Sequence, residues 1–363
     1  MTMAEKAVST PHLAGKKVLL TGGTGFVGRH LLPQLLDAGA QVTCLTRAVS
    51  RTGHLPAGVE NAQADLSTGQ GLAEALHGKD VVIHMAALLF GLGWQDYLRA
   101  NALAARSMGD TLTSLARAGN LGADFRFVLV SSLAATGPSG TAPGVDDATP
   151  PAPVSAYGWS KMLTEQVLGR ALGQSLVTLR PPIIYGSGDK GLLPVFQGVM
   201  RARVAVSPGA GREFPVSAVH ADDMARAVLC ACGPEASGVY HLSDGEAYTM
   251  SGFCRAMGAA VDKAHGRVPH KVRVVRMPLP VMACTAGLST AFAVAADTVA
   301  RRFLGRGLRR APAWNLDKYR EARQAGWLCD SSRICRELGF APRVSLEAGM
   351  TEAVDGYRRE GWL

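Results

Sequence analysis

From Lys16 to about Pro182, short apolar runs alternate with longer stretches of helical period. Lys16-Lys17-Val18-Leu19-Leu20, Val42-Thr43-Cys44-Leu45, Val81-Val82-Ile83, Arg126 to Ser131 and Leu176 to Leu179 read as strands. Between them, Arg29 to Ala38, Leu72 to Leu76, Trp94 to Ala118 and Ala156 to Leu172 read as helices. That alternation predicts an α/β fold with a doubly wound parallel sheet. After Gly186 the pattern loosens into turns such as Ser207-Pro208-Gly209. The last third mixes helices with short extended pieces, as a smaller α+β substrate domain would.

One segment stands outside the pattern. Met277 to Ala296 carries no charge and is long enough to span a bilayer. Pro278 and Pro280 stand at its start, however, and it is rich in Ala, Thr, Ser and Gly. Small residues bury little area per turn, so the expectation is a buried or substrate-lining helix in a soluble, cytoplasmic protein. The competing account is a weak peripheral membrane contact. In it, Pro278 to Ala296 inserts and Arg301, Arg302, Arg306, Arg309 and Arg310 meet anionic headgroups.

Composition narrows the class. The chain has 363 residues, enough for a large core, and its 47% hydrophobic content excludes disorder. A net charge of +9 invites a nucleic-acid reading, but no aromatic platform or recognition motif accompanies the arginines, and no such partner is expected. The seven cysteines form no CxxC pair and no zinc spacing, so they read as reduced core thiols, with no metal site. Met1 to Pro11 is polar and short and reads as a loose tail rather than a secretory signal.

The strongest motif is Thr21-Gly22-Gly23-Thr24-Gly25-Phe26-Val27-Gly28, between the first strand and the first helix. Strand, glycine turn and helix form the context of a dinucleotide fingerprint. Gly22 and Gly25 let the backbone approach a pyrophosphate, Gly28 lets the helix pack close, and the helix N-terminus faces the negative charge. Gly22, Thr24, Gly25, Phe26, Val27 and Gly28 are thus candidate cofactor contacts. The plainer reading is a tight strand-to-helix turn.

Tyr157-Gly158-Trp159-Ser160-Lys161 places a tyrosine and a lysine one turn apart on one helical face. Forming a phenolate at pH 7 from a group with pKa near 10 costs about 4 kcal/mol. The Lys161 ammonium and a cationic nicotinamide would lower that cost, making Tyr157 a general acid/base. Val128-Leu129-Val130-Ser131-Ser132 is an apolar strand ending in hydroxyls, where open α/β sheets carry site residues. Ser132 there would hold a carbonyl or alcohol oxygen beside Tyr157.

With these residues in hand, the chain resembles the extended short-chain dehydrogenase/reductase superfamily over nearly its whole length. Asp65-Leu66 is similar to the family's adenine-side segment, and Asp80 to Ala87, with Ala86 and Ala87 at its end, to the strand and turn under the ribose. Asn101 resembles the helix asparagine that completes the catalytic set. Arg180-Pro181-Pro182-Ile183-Ile184-Tyr185-Gly186 resembles the loop beside the nicotinamide, contributing Pro182, Ile183 and Ile184. Val219 to Ala225 resembles the returning strand and helix. The resemblance implies a flexible tail over 1–14, a dinucleotide-binding domain over 15–185, a substrate-domain insertion over 186–215, a returning part over 216–245 and a substrate domain over 246–363, with a homodimer as the assembly.

The second strand ends at Thr46 where NAD-preferring members carry an acid, followed by Arg47 with Arg51 nearby. A guanidinium grips a 2′-phosphate that a carboxylate would repel, so NADP(H) is expected, with NAD(H) the alternative. Members acting on sugar nucleotides resemble one another in an asparagine and an arginine at positions matching Ile183 and Val216; Arg212 is a partial substitute. Leu133-Ala134 stands where dehydratases carry an acidic pair. What remains resembles the hydroxysteroid dehydrogenase, dihydroflavonol reductase and keto-acyl reductase branch. It implies hydride transfer between nicotinamide and a secondary alcohol or ketone of an apolar small molecule. A sugar epimerase and a non-catalytic dinucleotide sensor are the alternatives.

Overall fold

The first half of the chain lays down six parallel strands and the helices that cover them. The strands are β1 (Lys17–Thr21), β2 (Gln41–Thr46), β3 (Glu60–Gln63), β4 (Val81–His84), β5 (Arg126–Val130) and β6 (Leu176–Arg180). The helices are α1 (Phe26–Asp37), α2 (Leu72–Leu76), α3 (Trp94–Tyr97), α4 (Ala104–Arg117), α5 (Leu133–Thr136) and α6 (Ala156–Leu172). This computed structural model describes residues 10–48, 50, 52–208, 213–268, 270–304 and 311–363. Arg51, Arg212, Arg306, Arg309 and Arg310 lie outside the described residues.

Beyond β6 come β7 (Ile183–Tyr185), α7 (Leu193–Ala202), β8 (Val204–Pro208), β9 (Pro215–Val216), β10 (Ala218–His220) and α8 (Ala221–Ala231). Then β11 (Gly238–His241) returns to pair in parallel with β6, giving a seven-stranded sheet of order β11-β6-β5-β4-β1-β2-β3. Successive residues of each strand point to opposite faces, so each strand feeds two cores. Val18, Leu20, Ile83, Val128 and Val177 pack with α1 and α8, through Leu31, Leu35, Met224 and Val228. Leu19, Val82, Phe127 and Leu129 pack against Leu72, Met108, Leu112 and Leu168 on α2, α4 and α6. Burial on both faces explains why these strands read as continuous apolar runs.

The remainder comprises β12 (Tyr248–Thr249), α9 (Met250–Ala264), β13 (Arg273–Met277), α10 (Leu279–Leu304), α11 (Leu316–Ala322), α12 (Ser332–Leu338) and α13 (Leu346–Arg359). Here α7, α9 and α13 enclose a third core around Phe196, Phe253, Met257 and Tyr357. β13 pairs in parallel with β8, outside the main sheet.

Three elements differ from expectation. The tail expected over residues 1–14 does not extend through Pro11–Leu13, a 3-10 turn whose Leu13 is buried and whose His12 bonds the Leu229 carbonyl at 3.1 Å. The helix expected over Trp94 to Ala118 is interrupted by a π-helical turn, Leu98–Leu103, which contains Asn101. Most consequentially, the segment expected to be buried or substrate-lining forms α10, and only 17% of its apolar window is buried. Its inner side packs on α11 and the chain that leads into it.

Candidate active site

The glycine turn has the geometry of a phosphate cradle. Gly22 has φ +78°, and a Cβ there would lie 2.9 Å from the Ala86 nitrogen. A Cβ on Gly28 would press on the Gly22 carbonyl at 2.6 Å, so Gly28 sets how closely α1 approaches β1. Gly25, by contrast, is exposed, and the Gly22 carbonyl oxygen, at 3.1 Å, is the nearest atom to a Cβ. Gly25 caps α1 without a side-chain hydrogen bond, whereas Ser155, Thr249 and Ser345 cap α6, α9 and α13. The first N–H groups of α1 thus point outward beside Thr24, Phe26 and Val27, the arrangement a dinucleotide pyrophosphate fits.

Around this turn, Thr21 ties β1 to β4. Its hydroxyl bonds His84 Nδ1 at 2.8 Å and accepts from the Ala86 nitrogen at 3.2 Å, setting the Ala86-Ala87 turn next to the glycines. Burial, reinforced by the Lys161 charge, pushes His84 down to about 3, so its ring is neutral. Thr46 is buried and donates to Asn61 Oδ1 at 2.8 Å. Arg47 is exposed, and its charge reaches Asp65, whose carboxylate accepts from the Ser67 nitrogen at 2.7 Å. Leu66 leans on the α2–α4 core.

The catalytic candidates come from β5, α5 and α6. Ser132 caps α5, its hydroxyl accepting from the Ala134 nitrogen at 3.2 Å, and that hydroxyl lies near enough to the Tyr157 phenol to favour its phenolate. Lys161 is buried and donates to the Val130 carbonyl at 2.7 Å, bridging α6 to the end of β5. Burial lowers its ammonium to about 8, against the pull of Glu165. Glu165 holds Arg180 at 2.6 Å, which donates in turn to Thr136, so the floor of the site is a satisfied buried ion pair. Asn101 spends its amide elsewhere. It accepts from the Leu88 nitrogen at 2.8 Å and donates to Ser160 at 2.9 Å, clamping the turn after β4 to α6 without touching Tyr157. Pro182 is half-buried, Ile183 packs on the third core, and Ile184 packs on the main core.

One group at the centre was not singled out from the sequence. Lys318, on α11, places its Nζ 4.7 Å from the Tyr157 ring centroid and 2.9 Å from Glu321. Burial alone would lower its pKa, but Glu321, with smaller help from Tyr157 and Tyr97, raises it and keeps the ammonium charged. The Tyr157 phenol is raised by burial; Lys318 and the nearby Ser132 hydroxyl pull it back. In this arrangement Lys161 is drawn to Val130, and Lys318 is a cation lying over the ring. The same helix holds α6 in place. Asp317 accepts from the backbone nitrogens of Ala156 at 2.7 Å and Tyr157 at 3.1 Å, and Glu321 accepts from Ser155 at 2.6 Å. A signal did exist: Asp317-Lys318 and Glu321 at helical spacing after an Asn315 cap.

Among the described residues there is no His/Cys/Asp/Glu group able to hold a metal, and the seven cysteines are free thiols.

The sequence matches the NAD-dependent epimerase/dehydratase family over residues 18–242. It is 31% identical to a ceramide reductase of Caulobacter vibrioides, over 95% of this chain and 96% of that protein. It is 28% identical to the 4-hydroxy-2-methyl-3-oxo-4-farnesyl-3,4-dihydroquinoline-1-oxide ketoreductase of Stigmatella aurantiaca, covering 95% of this chain and 96% of that one. Among solved structures, the Bordetella bronchiseptica enzyme WbmG in complex with NAD and UDP superposes with a TM-score of 0.69 over 96% of this chain and 97% of its own. At 16% identity that likeness speaks for the fold.

Proposed function

The chain belongs to the NAD-dependent epimerase/dehydratase family, and we propose that within it this protein reduces a ketone, or oxidises the matching secondary alcohol, on an apolar, lipid-like molecule. The observation that carries the reading is the Lys318 ammonium 4.7 Å from the Tyr157 ring, with the Ser132 hydroxyl near enough to the phenol to favour its phenolate. A proton donor so placed has no use in a passive dinucleotide sensor. Two relatives that match nearly the whole chain are named for reduction of a ceramide and of a farnesyl-bearing ketone, which supports the substrate class. Val216, where a sugar-nucleotide enzyme would present an arginine, is fully buried beside Trp327, and Leu133 and Ala134 are buried where a dehydratase would carry acids.

When bound, the nicotinamide dinucleotide supplies or accepts the hydride; the Gly22–Gly28 turn and Lys161 are the groups that would hold it. Ser132 holds the substrate oxygen next to Tyr157. In reduction, Tyr157 gives its phenolic proton to that oxygen as the carbon becomes tetrahedral, and the phenolate left behind is stabilised by Lys318. In oxidation the same atoms run in reverse. NADP(H) is the proposed preference because Arg47, rather than a carboxylate, follows β2; NAD(H) is the alternative.

A ketone panel monitored by nicotinamide absorbance tests the reading. Consumption of added NADPH that depends on a long-chain ketone is expected. A cofactor that stays bound through purification, with no net consumption on any ketone, would instead favour the epimerase reading.

A further inference from the structure

Leu279–Phe303 is long and apolar enough to cross a membrane, yet among the described residues only 17% of its apolar window is buried. Val281, Leu288, Phe292, Val299 and Phe303 recur at alternating intervals of about seven and four residues, which keeps them on one face of α10. Leu288 is 70% exposed, Phe292 78% and Phe303 75%. The stripe runs about 33 Å along the helix. Met282, Ala286 and Ala293, about 110° round the helix from the stripe, are buried. That inner side is pinned by Ser289, which donates to the Trp314 carbonyl at 2.8 Å, and by Thr290, which accepts from the Leu316 nitrogen at 3.0 Å. A bare apolar strip of this length marks an interaction surface.

We propose that α10 lies flat in the interface of an anionic bilayer, with the stripe inserted into one leaflet. Charge selects this occupant. The helix is uncharged until its last two turns, where Asp297 and Arg301 pair at 2.6 Å on the side away from the stripe and Arg302 is exposed beside it. Arg302 thus sets a cation beside the apolar face, as headgroup binding requires, and Arg306, Arg309 and Arg310 follow in the sequence.

Connectivity rules out a crossing. By Trp314 and Leu316 the chain is back beside Ser289 and Thr290. A transmembrane α10 would therefore have to draw residues 305–313, three arginines among them, back through hydrocarbon. A helix lying in the interface needs no such return.

Docking in this way also brings the site to the membrane. α10 packs on α11, whose Lys318 overlies Tyr157, and Arg301 is close enough to feel the charge of Asp96 on α3. Trp94 and Leu316, at the starts of α3 and α11, are 41% and 40% exposed. The membrane contact itself is independent of the hydride chemistry.

The test is flotation of the full chain with phosphatidylcholine–phosphatidylglycerol vesicles and with phosphatidylcholine alone, across a salt series. Phe292→Glu and Phe303→Glu, both at exposed positions, serve as variants, each checked for an unchanged melt and unchanged turnover of a water-soluble ketone. The wild type is expected to float with the anionic vesicles, less so at high salt, and each variant to lower partitioning about tenfold or more. Absence of flotation, or equal flotation of the variants, overturns the proposal. So does resistance to alkaline carbonate extraction, which would mean a crossing. A vesicle-free dimer that Phe292→Glu dissociates would likewise overturn it, assigning the stripe to a second copy of the chain.

Discussion

Tyr157 sits between opposing influences: burial holds its proton on, while Lys318 and Ser132 favour its release. Replacing Lys318 by Met removes the cation, so the tyrosine pKa rises further. In the oxidation direction, where Tyr157 must first be a phenolate, the ascending limb of the pH–rate profile should then move to higher pH. At neutral pH the rate should fall about tenfold for each unit of displacement. Lys318→Arg should restore most of it, and an unmoved limb would leave Lys318 a packing residue. Arg47 carries a second prediction at this scale. Arg47→Asp should lower kcat/KM for NADPH about ten- to a hundredfold, the worth of a charge-assisted hydrogen bond, and affect NADH much less. Equal losses for both would remove Arg47 from phosphate recognition. Tyr157, Lys161 and Ser132 were legible because a helical spacing and a strand end carry their own geometry. Lys318 was not, because a charged stretch on a short helix reads as a solvated face until the fold lays it over the ring.

The helix that carries Tyr157 is held at its N-terminus by another element. Ser155 caps α6 from within, and Asp317 of α11 takes two further backbone N–H groups from outside. Asp317→Ala should cost about 1 kcal/mol of stability, as other lost caps do, visible as a lower denaturant midpoint at constant m. It should also reduce kcat more than it changes KM, since the tyrosine is then less well placed. Lost stability with an intact kcat would confine α11 to packing. The spans of α2 and α6, and the doubly covered strands, were readable from periodicity alone. The strand β3 was not: Glu60-Asn61-Ala62-Gln63 is a polar edge strand with no apolar period to betray it. Nor was the exposure of α10, because Ala, Ser, Thr and Gly suit a crowded helix and a bare one equally. Which of the two it is depends on how many neighbours the fold supplies.

Across the whole molecule, the sheet's buried polar groups set its tolerance of acid. His84 has a folded pKa of about 3 against 6.5 when free. Between those values the unfolded chain binds a proton that the folded one refuses, so stability falls as pH drops from about 6.5 toward 3. The contribution is at most about 1.4 kcal/mol per pH unit. His84→Gln should flatten that slope relative to wild type, and parallel slopes in denaturant titrations would show that His84 titrates freely. The same sheet brings the glycine turn, the hydroxyl end of β5 and α6 to one edge, and α11 closes over them from the far end of the chain. The most direct measurement on that assembly is the rate of ketone-dependent NADPH oxidation by Tyr157→Phe beside wild type, with dinucleotide affinity measured in parallel. A loss of about two to four orders of magnitude with affinity retained is expected; an unchanged rate would contradict proton transfer by Tyr157.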